Sequence, residues 1–381
     1  MRRKKCGNSG WIDTACWFCY TDGKSAALPR KGVNGIGNHI GMNEGILRQA
    51  VERFALQQDR LEVVESHEGG RNLVFRCEGA AGTRYLRLSC MNDRSMEDYL
   101  SATEFVHYLA QHGAPVTDAL PSINGCLVEV IGTPQGTVYA SLFEEAVGEQ
   151  LASRGYRYRE GVPLSEYFFN CGKCLGKIHA LSRRYEPIHP RYDYANRFNI
   201  AHFTAVTPPQ YMSWLPAVER ALESIAWLHK SAENYGMVHF DFSDGNYMID
   251  YSNGDIHVFD FENCCRCWYL YDLANLWIHG VGWVQFEPDA EKRRAFMDWY
   301  FAEVLHGYRS ETAVSEEELN HLQEMIRLVL LENVLDEFEN AEDEDDEEDE
   351  EILYRLRCIA EEIPYWGFFS ELYTVEHPFA L

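Results

Sequence analysis

The segment Met237–Glu262 restricts the fold of this chain more than any other. It holds two short runs of β-branched and aromatic residues, Tyr247–Tyr251 and Ile256–Phe261, on either side of Asn253-Gly254. An Asn-Gly pair favours a two-residue type I′ turn, because both central positions of that turn need a positive φ. The segment therefore predicts a β-hairpin whose open end lies among polar residues.

Counting back from this turn predicts which residues face each other at the open end of the hairpin. Asn246 is expected opposite Phe261, and Tyr247 opposite Asp260. The amide of Asn246 and the carboxylate of Asp260 then lie within about one residue of each other. Strict alternation would leave them on opposite faces of the hairpin. The prediction therefore requires a bend at Gly245–Asn246 or at the end of the second strand.

The polar residues in this segment have the spacing His239-x-Asp241-x4-Asn246, followed by Asp260-Phe-Glu262. Phosphoryl transfer requires a carboxylate that orients the attacking hydroxyl and accepts its proton. It also requires an amide oxygen and a second carboxylate to hold Mg²⁺ against the phosphates. Asp241, Asn246 and Asp260 can supply these three groups.

The charge balance excludes several classes of partner. The chain has 60 Asp and Glu residues against 34 Lys and Arg residues, for a net charge of −26. Because nucleic-acid binders and proteins of anionic membrane surfaces are basic, neither type of partner is expected. No apolar stretch approaches the length of about 18 residues that a transmembrane helix needs. With 381 residues, 46% of them hydrophobic, we expect two domains or one bilobal domain.

The cysteines and the N-terminus indicate a cytoplasmic protein. The 12 cysteines are scattered, which is typical of small buried hydrophobic side chains in a reducing compartment. Examples are Cys77, Cys90, Cys126 and Cys358. The basic start Met1–Lys5 is not followed by the apolar segment of a signal peptide.

Two CxxC pairs could bind zinc, but each lacks the second pair that a zinc site usually has. Cys171 and Cys174 fall in a helical pattern, where residues three apart simply share a face. Cys16 and Cys19, together with His39, leave a metal site open as an alternative.

The patterns divide the chain into three regions. Residues 1–41 form an extension of uncertain order, residues 42–145 a sheet-rich N-lobe, and residues 146–381 a mainly helical C-lobe. The C-lobe pattern is broken only by the hairpin, and its ten consecutive acids at 342–351 are expected to be solvated. The predicted N-lobe elements are helices Asn43–Gln58 and Met96–Gln111 and strands Leu61–Ser66, Asn72–Cys77, Arg84–Ser89, Cys126–Ile131 and Thr137–Glu144.

The motifs His239-Phe-Asp241, Phe259-Asp-Phe-Glu262 and Asp272-Leu-Ala274 resemble the aminoglycoside phosphotransferase/choline kinase family. They are most similar to homoserine-kinase-like and uncharacterised bacterial members. The resemblance covers about residues 60–370 in the order of elements and is specific around 237–274. It implies an α+β, bilobal, protein-kinase-like fold with a small antiparallel-sheet N-lobe, a larger helical C-lobe, and ATP between them.

The resemblance also implies roles for individual residues. Asp241 becomes the catalytic base, and Asn246 and Asp260 become Mg²⁺ ligands. Glu262 is either a ligand to a second metal ion or part of a buried salt bridge. By the same resemblance Asp272 braces the catalytic loop, and His179 on an earlier helix has a structural role.

On the nucleotide side, Gly69 and Gly70 lie in a turn whose backbone can approach phosphates. Arg87 stands where the family has a phosphate-binding Lys, and Arg offers a different, bidentate geometry. Its acidic partner is expected on the next helix, at Glu104 or, as a rival, at Glu97. The segment containing Phe143 and Glu145 resembles the hinge whose backbone binds adenine.

Together these features predict a kinase that transfers the γ-phosphate of ATP to a hydroxyl of a small molecule. Acidic residues in the C-lobe favour an amine-bearing acceptor such as an amino alcohol, an amino acid or an aminoglycoside. The oligomeric state is left open between monomer and homodimer. The alternative is a non-catalytic nucleotide-binding or structural protein of the same fold. Protein kinase activity is disfavoured because the catalytic loop lacks a His-Arg-Asp triplet.

Overall fold

A computed structural model of the protein describes residues 44–64, 72–89, 94–133, 136–341 and 349–367. The extension 1–41, with the Cys16/Cys19 pair and His39, lies outside the described residues, as does most of the acidic run. Within the described part, no helix combines the length and the apolar character needed to cross a membrane.

The first part of the chain is an antiparallel sheet with two helices. The sheet has the strand order β1-β2-β3-β6, and both β4 and β5 pair with β6. In chain order the elements are α1 (Glu44–Arg53), β1 (Arg60–Val63), β2 (Asn72–Gly79), β3 (Gly82–Ser89), α2 (Met96–Gln111), β4 (Ala119–Leu120), β5 (Glu129–Thr133) and β6 (Gly136–Glu144).

The two helices of this part differ in how well the sequence predicted them. Helix α2 has both predicted ends, because Ser95 and Asp98 form a reciprocal capping box and Gly113 continues the chain at φ 78°. Helix α1 ends five residues before the predicted Gln58. Ala55 takes a left-handed φ of 55°, and the chain turns back so that the Leu56 amide donates to Val51 O at 2.8 Å.

The second part is mainly helical and contains two small antiparallel sheets, β7 with β10 and β8 with β9. The β8–β9 hairpin was predicted, whereas the β7–β10 pair was not. In chain order the elements are α3 (Leu164–Ser182), α4 (Ile200–Val206), α5 (Leu215–Ala226), β7 (Tyr235–Val238), β8 (Tyr247–Ile249), β9 (Ile256–Val258), β10 (Cys265–Trp268), α6 (Leu270–Gly282), α7 (Ala290–Arg309), α8 (Glu316–Leu319), α9 (Leu322–Glu339) and α10 (Glu350–Glu361).

The buried apolar residues form two clusters. The smaller cluster lies between the large sheet and α1, with Ile46 and Leu86 among its members. The larger cluster fills the helical part and also includes Phe105 and Leu109 of α2. The segment after α2 continues this connection, because the Thr117 amide donates to Val258 O of β9 at 2.9 Å. Helix α2 therefore packs on the helical part as well as on the sheet, which confirms the α+β prediction.

Helices α3 and α7 approach each other closely enough that only glycine fits at the crossing. A Cβ on Gly172 would lie 1.9 Å from Val304 O, and a Cβ on Gly307 would lie 1.9 Å from Phe169 O. This close approach brings His179, two turns further along α3, against α7 and the start of α6. The crossing therefore determines where a buried polar chain can form beneath the site described next.

Candidate active site

The loop after β7 has an unusual backbone that one buried carboxylate holds in place. Phe240 takes a φ of 70°, which a bulky residue rarely adopts. Asp272, in the first turn of α6, accepts the backbone N–H groups of His239 at 2.8 Å and of Phe240 at 2.9 Å. The Phe240 ring stacks on Tyr271 with centroids 4.1 Å apart. These contacts confirm the predicted bracing role of Asp272.

Asp272 is in turn positioned by α3 and α7. His179 Nε2 lies 3.0 Å from Asp272 Oδ2, and His179 Nδ1 lies 2.9 Å from the Tyr308 hydroxyl. Burial lowers the pKa of His179, so the imidazole is neutral and donates to Asp272 while accepting from Tyr308. His179 is fully buried and contacts Asp272 and Tyr308 through its two ring nitrogens, which is the structural role predicted for it.

The hairpin is present, but its turn differs from the prediction. Pairing closes at Asp250 and Asp255, and β8 runs opposite β9 with Tyr247 facing Val258. The predicted two-residue Asn-Gly turn is therefore wrong, and the strand pairing is shifted by two residues from the predicted register. The cause is local side-chain bonding: Asp250 Oδ1 accepts the Ser252 amide at 2.9 Å, which opens a wider loop.

With the true register, Asn246 lies opposite Phe259, whose amide donates to Asn246 O at 2.9 Å. Asp260, the next residue, adopts the left-handed region with φ 61° and ψ 63°. This is the bend at the end of the second strand that the sequence analysis required. Because of it, Asp260 lies close enough to Asp241 for its charge to raise the pKa of that carboxyl.

At the open end of the hairpin, the carboxylates of Asp241, Asp260 and Glu262 lie close enough together that the charge of one raises the pKa of its neighbour. Burial, and next the charge of Asp260, raise the pKa of Asp241 well above its usual value. Burial, followed by the negative charge of Glu262, raises the pKa of Asp260, whereas the positive charge of Arg87 lowers it. The side chain of Asp260 is nevertheless 48% exposed, so it can meet a ligand in the cleft.

These residues fit a divalent cation. Asn246 Nδ2 donates to Asp241 O at 2.9 Å, so the amide oxygen of Asn246 is the atom left for a cation. Carboxylate and amide oxygens are the donors that Mg²⁺ and Ca²⁺ prefer, and a cation offsets the repulsion between the carboxylates. Cys171 and Cys174 are buried free thiols in the described part of the chain.

Arg87 faces this corner from the sheet. It extends from β3 with its side chain 12% exposed, and NH1 lies 3.8 Å from Asp260 Oδ1 and 3.6 Å from Glu262 Oε2. Its guanidinium lies over the Phe143 ring, 4.9 Å from the centroid. The structure thus brings together Arg87, Phe143 and Asp260, which the sequence analysis assigned to one site.

The predicted pairing of Arg87 with Glu104 is wrong. Glu104 instead accepts from His189, at 2.7 Å from Nδ1 and 3.2 Å from the backbone N–H. The rival Glu97 is exposed at the first turn of α2. Glu104 turns towards the segment after α3 because α2 packs on the helical part, and Glu262 has the position beside Arg87.

The other residues predicted to contact the nucleotide are Gly69, Gly70 and Glu145. Gly69 and Gly70 lie outside the described residues. Glu145 directs its carboxylate to Arg76 NH2 at 3.9 Å, so its side chain faces the sheet. Beyond it, Val147 N donates to His257 Nδ1 at 2.9 Å, so the segment after β6 runs along the hairpin. Adenine binding by this backbone stays a prediction.

Sequence reasoning missed an acidic wall beside Asp241. Asp336 of α9 raises the pKa of both Asp241 and Glu332, and Asp241 also raises that of Glu332, so the two acids of α9 lie beside Asp241. Tyr271 donates to Glu332, and Arg197 pairs with Asp336. The available signal was the one-turn spacing of Glu332 and Asp336 in the mostly apolar helix segment 328–336.

Comparison with known proteins identifies the family. Residues 62–310 match the phosphotransferase enzyme family (APH), which is more than half of the 381-residue chain. The chain belongs to this phosphotransferase family. The amicoumacin kinase of Bacillus subtilis (strain 168) is 24% identical to this phosphotransferase over 291 residues, covering 75% of the chain and 82% of the relative.

Solved structures agree on the fold. An amicoumacin kinase, hAmiN, in complex with AMP-PNP, Ca²⁺ and Ami has a TM-score of 0.72 at 20% identity, covering 85% of this chain and 94% of that one. A microcompartment-associated aminopropanol kinase has a TM-score of 0.61 at 16% identity, covering 84% and 94%. The bilobal, protein-kinase-like fold is thereby confirmed, and membership of the family makes the chain a phosphotransferase.

Proposed function

We propose that this phosphotransferase transfers the γ-phosphate of ATP to a hydroxyl of an amine-bearing small molecule, with Mg²⁺ as the metal ion. The observation that carries the proposal is the convergence of Asp241, Asn246 and Asp260 at the open end of the hairpin, opposite Arg87. A proton acceptor, two oxygen donors for a cation and a phosphate-binding cation are the groups that in-line transfer needs.

Asp241 is proposed as the base that orients the acceptor hydroxyl and takes its proton. Burial and the charge of Asp260 raise the pKa of this carboxyl, which makes its carboxylate a stronger proton acceptor than an ordinary one. Asn246 and Asp260 would hold Mg²⁺, which supplies positive charge to the phosphates. Arg87 would bind phosphate oxygens from the sheet side of the cleft.

The acidic wall supports an amine on the acceptor. Asp336 lies near both Asp241 and Glu332, and its negative charge raises the pKa of each of them, so negative charges on these carboxyls repel one another. A protonated amine bound there relieves this repulsion, whereas a neutral sugar does not. The amicoumacin and aminopropanol kinases support the same class, because aminopropanol is an amino alcohol.

We place this reaction in the cytoplasm, where ATP is present. Cys171, Cys264, Cys265 and Cys267 are buried free thiols in the described part of the chain. Free thiols are typical of a reducing compartment, and this supports the location.

The test is Mg²⁺-dependent ATP consumption with amino alcohols, amino acids, aminoglycosides and amicoumacin, with neutral sugars as the comparison set. Asp241→Asn is expected to lower kcat by about 10²–10⁴-fold with the acceptor that the wild type uses. Asp244→Asn, the same change in the same loop, is the matched control and is expected to retain activity. Turnover by Asp241→Asn at the wild-type rate, or preference for neutral sugars, would contradict the proposal.

A further inference from the structure

We propose that Glu262 is the positioning residue that holds Arg87 towards the nucleotide phosphates, in place of an acid on helix α2. The inference rests on the proposed function, because it presupposes a nucleotide in the cleft. The sequence analysis left Glu262 open between a second metal ligand and a salt bridge. The contacts of its two carboxylate oxygens distinguish these roles.

Groups from the sheet lobe surround the Glu262 carboxylate. Oε2 accepts from Asn72 Nδ2 and lies 3.6 Å from Arg87 NH1, while Oε1 lies 3.3 Å from Arg94 NH1. Asn72 on β2 is itself oriented by a hydrogen bond from Ser89 Oγ of β3. Glu262 therefore joins the helical lobe to two neighbouring strands and to the segment before α2.

The backbone of Glu262 is held as firmly as its side chain. Its carbonyl oxygen accepts from Arg94 NH1 at 2.7 Å and from Arg191 NH2 at 2.5 Å. Arg191 also donates to Cys264 O and to Asp98 O of α2, both at 2.5 Å. The main chain that carries the carboxylate is thus fixed by three hydrogen bonds, two to the carbonyl oxygen of Glu262 and one to that of Cys264.

These surroundings fit an anchor for a cation better than a metal ligand. Two guanidinium groups, of Arg87 and Arg94, lie beside the carboxylate, and a divalent ion there would meet their repulsion. The Glu262 side chain is 9% exposed, whereas that of Asp260 is 48% exposed. A cation held by Asp260 would push Arg87 away, and Glu262 supplies the counter-charge that keeps the guanidinium in the cleft.

The experiment measures binding of AMP-PNP by calorimetry, with Mg²⁺ and separately with EDTA. The proteins compared are the wild type, Arg87→Met, Glu262→Gln and the double variant. We expect each single change to weaken binding about tenfold in both conditions. The double variant should bind no more weakly than Arg87→Met, because both changes remove one interaction. In steady-state assays Glu262→Gln should raise the KM for ATP more than it lowers kcat, and Glu262→Asp should restore part of the affinity.

One control variant and one substitute variant separate a positioning role from a general loss of structure. Glu129 is a buried glutamate of the same lobe that pairs with Arg53 at 2.9 Å, so Glu129→Gln tests the effect of losing such a pair far from the cleft. Its AMP-PNP affinity should equal that of the wild type. If Glu262→Gln does not fold, Asn72→Ala takes its place, since it frees the Glu262 carboxylate without leaving a charge unpaired, with an expected loss of two- to threefold.

Several outcomes would overturn the role of Glu262. Independent, multiplying losses in the double variant would show that Glu262 does not act through Arg87. A loss seen only with Mg²⁺ would make Glu262 a metal ligand. Equal binding by wild type and Glu262→Gln would also overturn it while leaving the proposed function intact. Failure of the wild type itself to bind AMP-PNP would instead overturn the proposed function.

Discussion

The two sides of the cleft are supported in different ways. The loop that carries Asp241 is held inside one lobe, by the buried hydrogen-bonded chain from Tyr308 through His179 to Asp272. Arg87 is held across two lobes, by charged groups around Glu262. The first support consists of core groups without exposure to water, and the second of ion pairs at the edge of the cleft.

This difference teaches which part of the site is fixed when the protein folds. The loop contacts form together with the α3–α7 crossing and the core around it, so the loop geometry is as stable as the lobe. The Arg87 contacts join the two lobes, so a change in the relative position of the lobes would alter them without altering the contacts of the loop that carries Asp241.

The largest effect is expected from removing Asp272, which supports the loop inside the helical lobe. Asp272→Ala leaves the N–H groups of His239 and Phe240 without their acceptor inside the core. We expect a loss of about 3–5 kcal/mol in the free energy of unfolding, measured by urea denaturation. Asp272→Asn keeps one acceptor oxygen and should lose less. A loss below about 1 kcal/mol for Asp272→Ala would show that the loop does not depend on this carboxylate.

A second test moves the helices on which His179 depends. Gly307→Ala places a methyl group where Phe169 O lies 1.9 Å away, so α3 and α7 must separate. Overpacking of this kind costs about 1–3 kcal/mol, and thermal unfolding would report it. Gly282→Ala is the matched control, because no atom lies within 4 Å of its added Cβ and it should be neutral or stabilising. Equal effects of the two changes would contradict the importance of the crossing.

A third test uses pH on the acidic wall. Burial, and next Asp336, raise the pKa of Glu332 well above its usual 4.5, so the folded protein binds this proton more tightly than the unfolded chain. The stability that the proton provides is present below pH 4.5 and is lost as pH rises through the raised pKa.

Glu332→Gln carries no such charge and keeps an oxygen for the Tyr271 hydroxyl. Its advantage over the wild type should therefore grow as the pH rises from 4.5 to 8. Urea denaturation at both values measures this. An advantage that shrinks as pH rises would show that Glu332 is stabilised as an anion, for instance by Arg197.

The smallest expected effect is that of Glu104→Gln. The Glu104–His189 contact joins α2 to the segment after α3 and is partly exposed on the His189 side. Its loss should cost less than about 1 kcal/mol and leave the KM for ATP unchanged. A rise in that KM comparable to the rise for Glu262→Gln would restore the helix acid as the partner of Arg87.

Elements with strong local signals could be predicted from the sequence. Helix α2 has a capping box at Ser95 and a glycine after its end, and its bounds were correct. The convergence of Asn246 and Asp260 was also correct, because any hairpin in this segment brings those residues to one end. The bend that this convergence required lies at Asp260.

The features that the sequence did not predict correctly depend on long-range packing or on hydrogen bonds from side chains to the backbone. Asp250 widens the hairpin loop through its carboxylate, and an Asn-Gly rule does not include that bond. Glu104 could not be assigned, because its direction depends on α2 packing against the larger core. The strands β7 and β10 are short, and their pairing joins residues far apart in the chain, such as Val238 and Cys265.

The left-handed backbone of Asp260 also bears on how this family can diverge. At φ 61° and ψ 63°, glycine, asparagine and aspartate are the residues that fit with little strain. Of these three, only aspartate carries a negative charge. Substitutions that preserve the fold at this position therefore remove the charge. Among descendants of this chain, Asn or Gly at position 260 would mark a lineage that kept the architecture and gave up this negative charge.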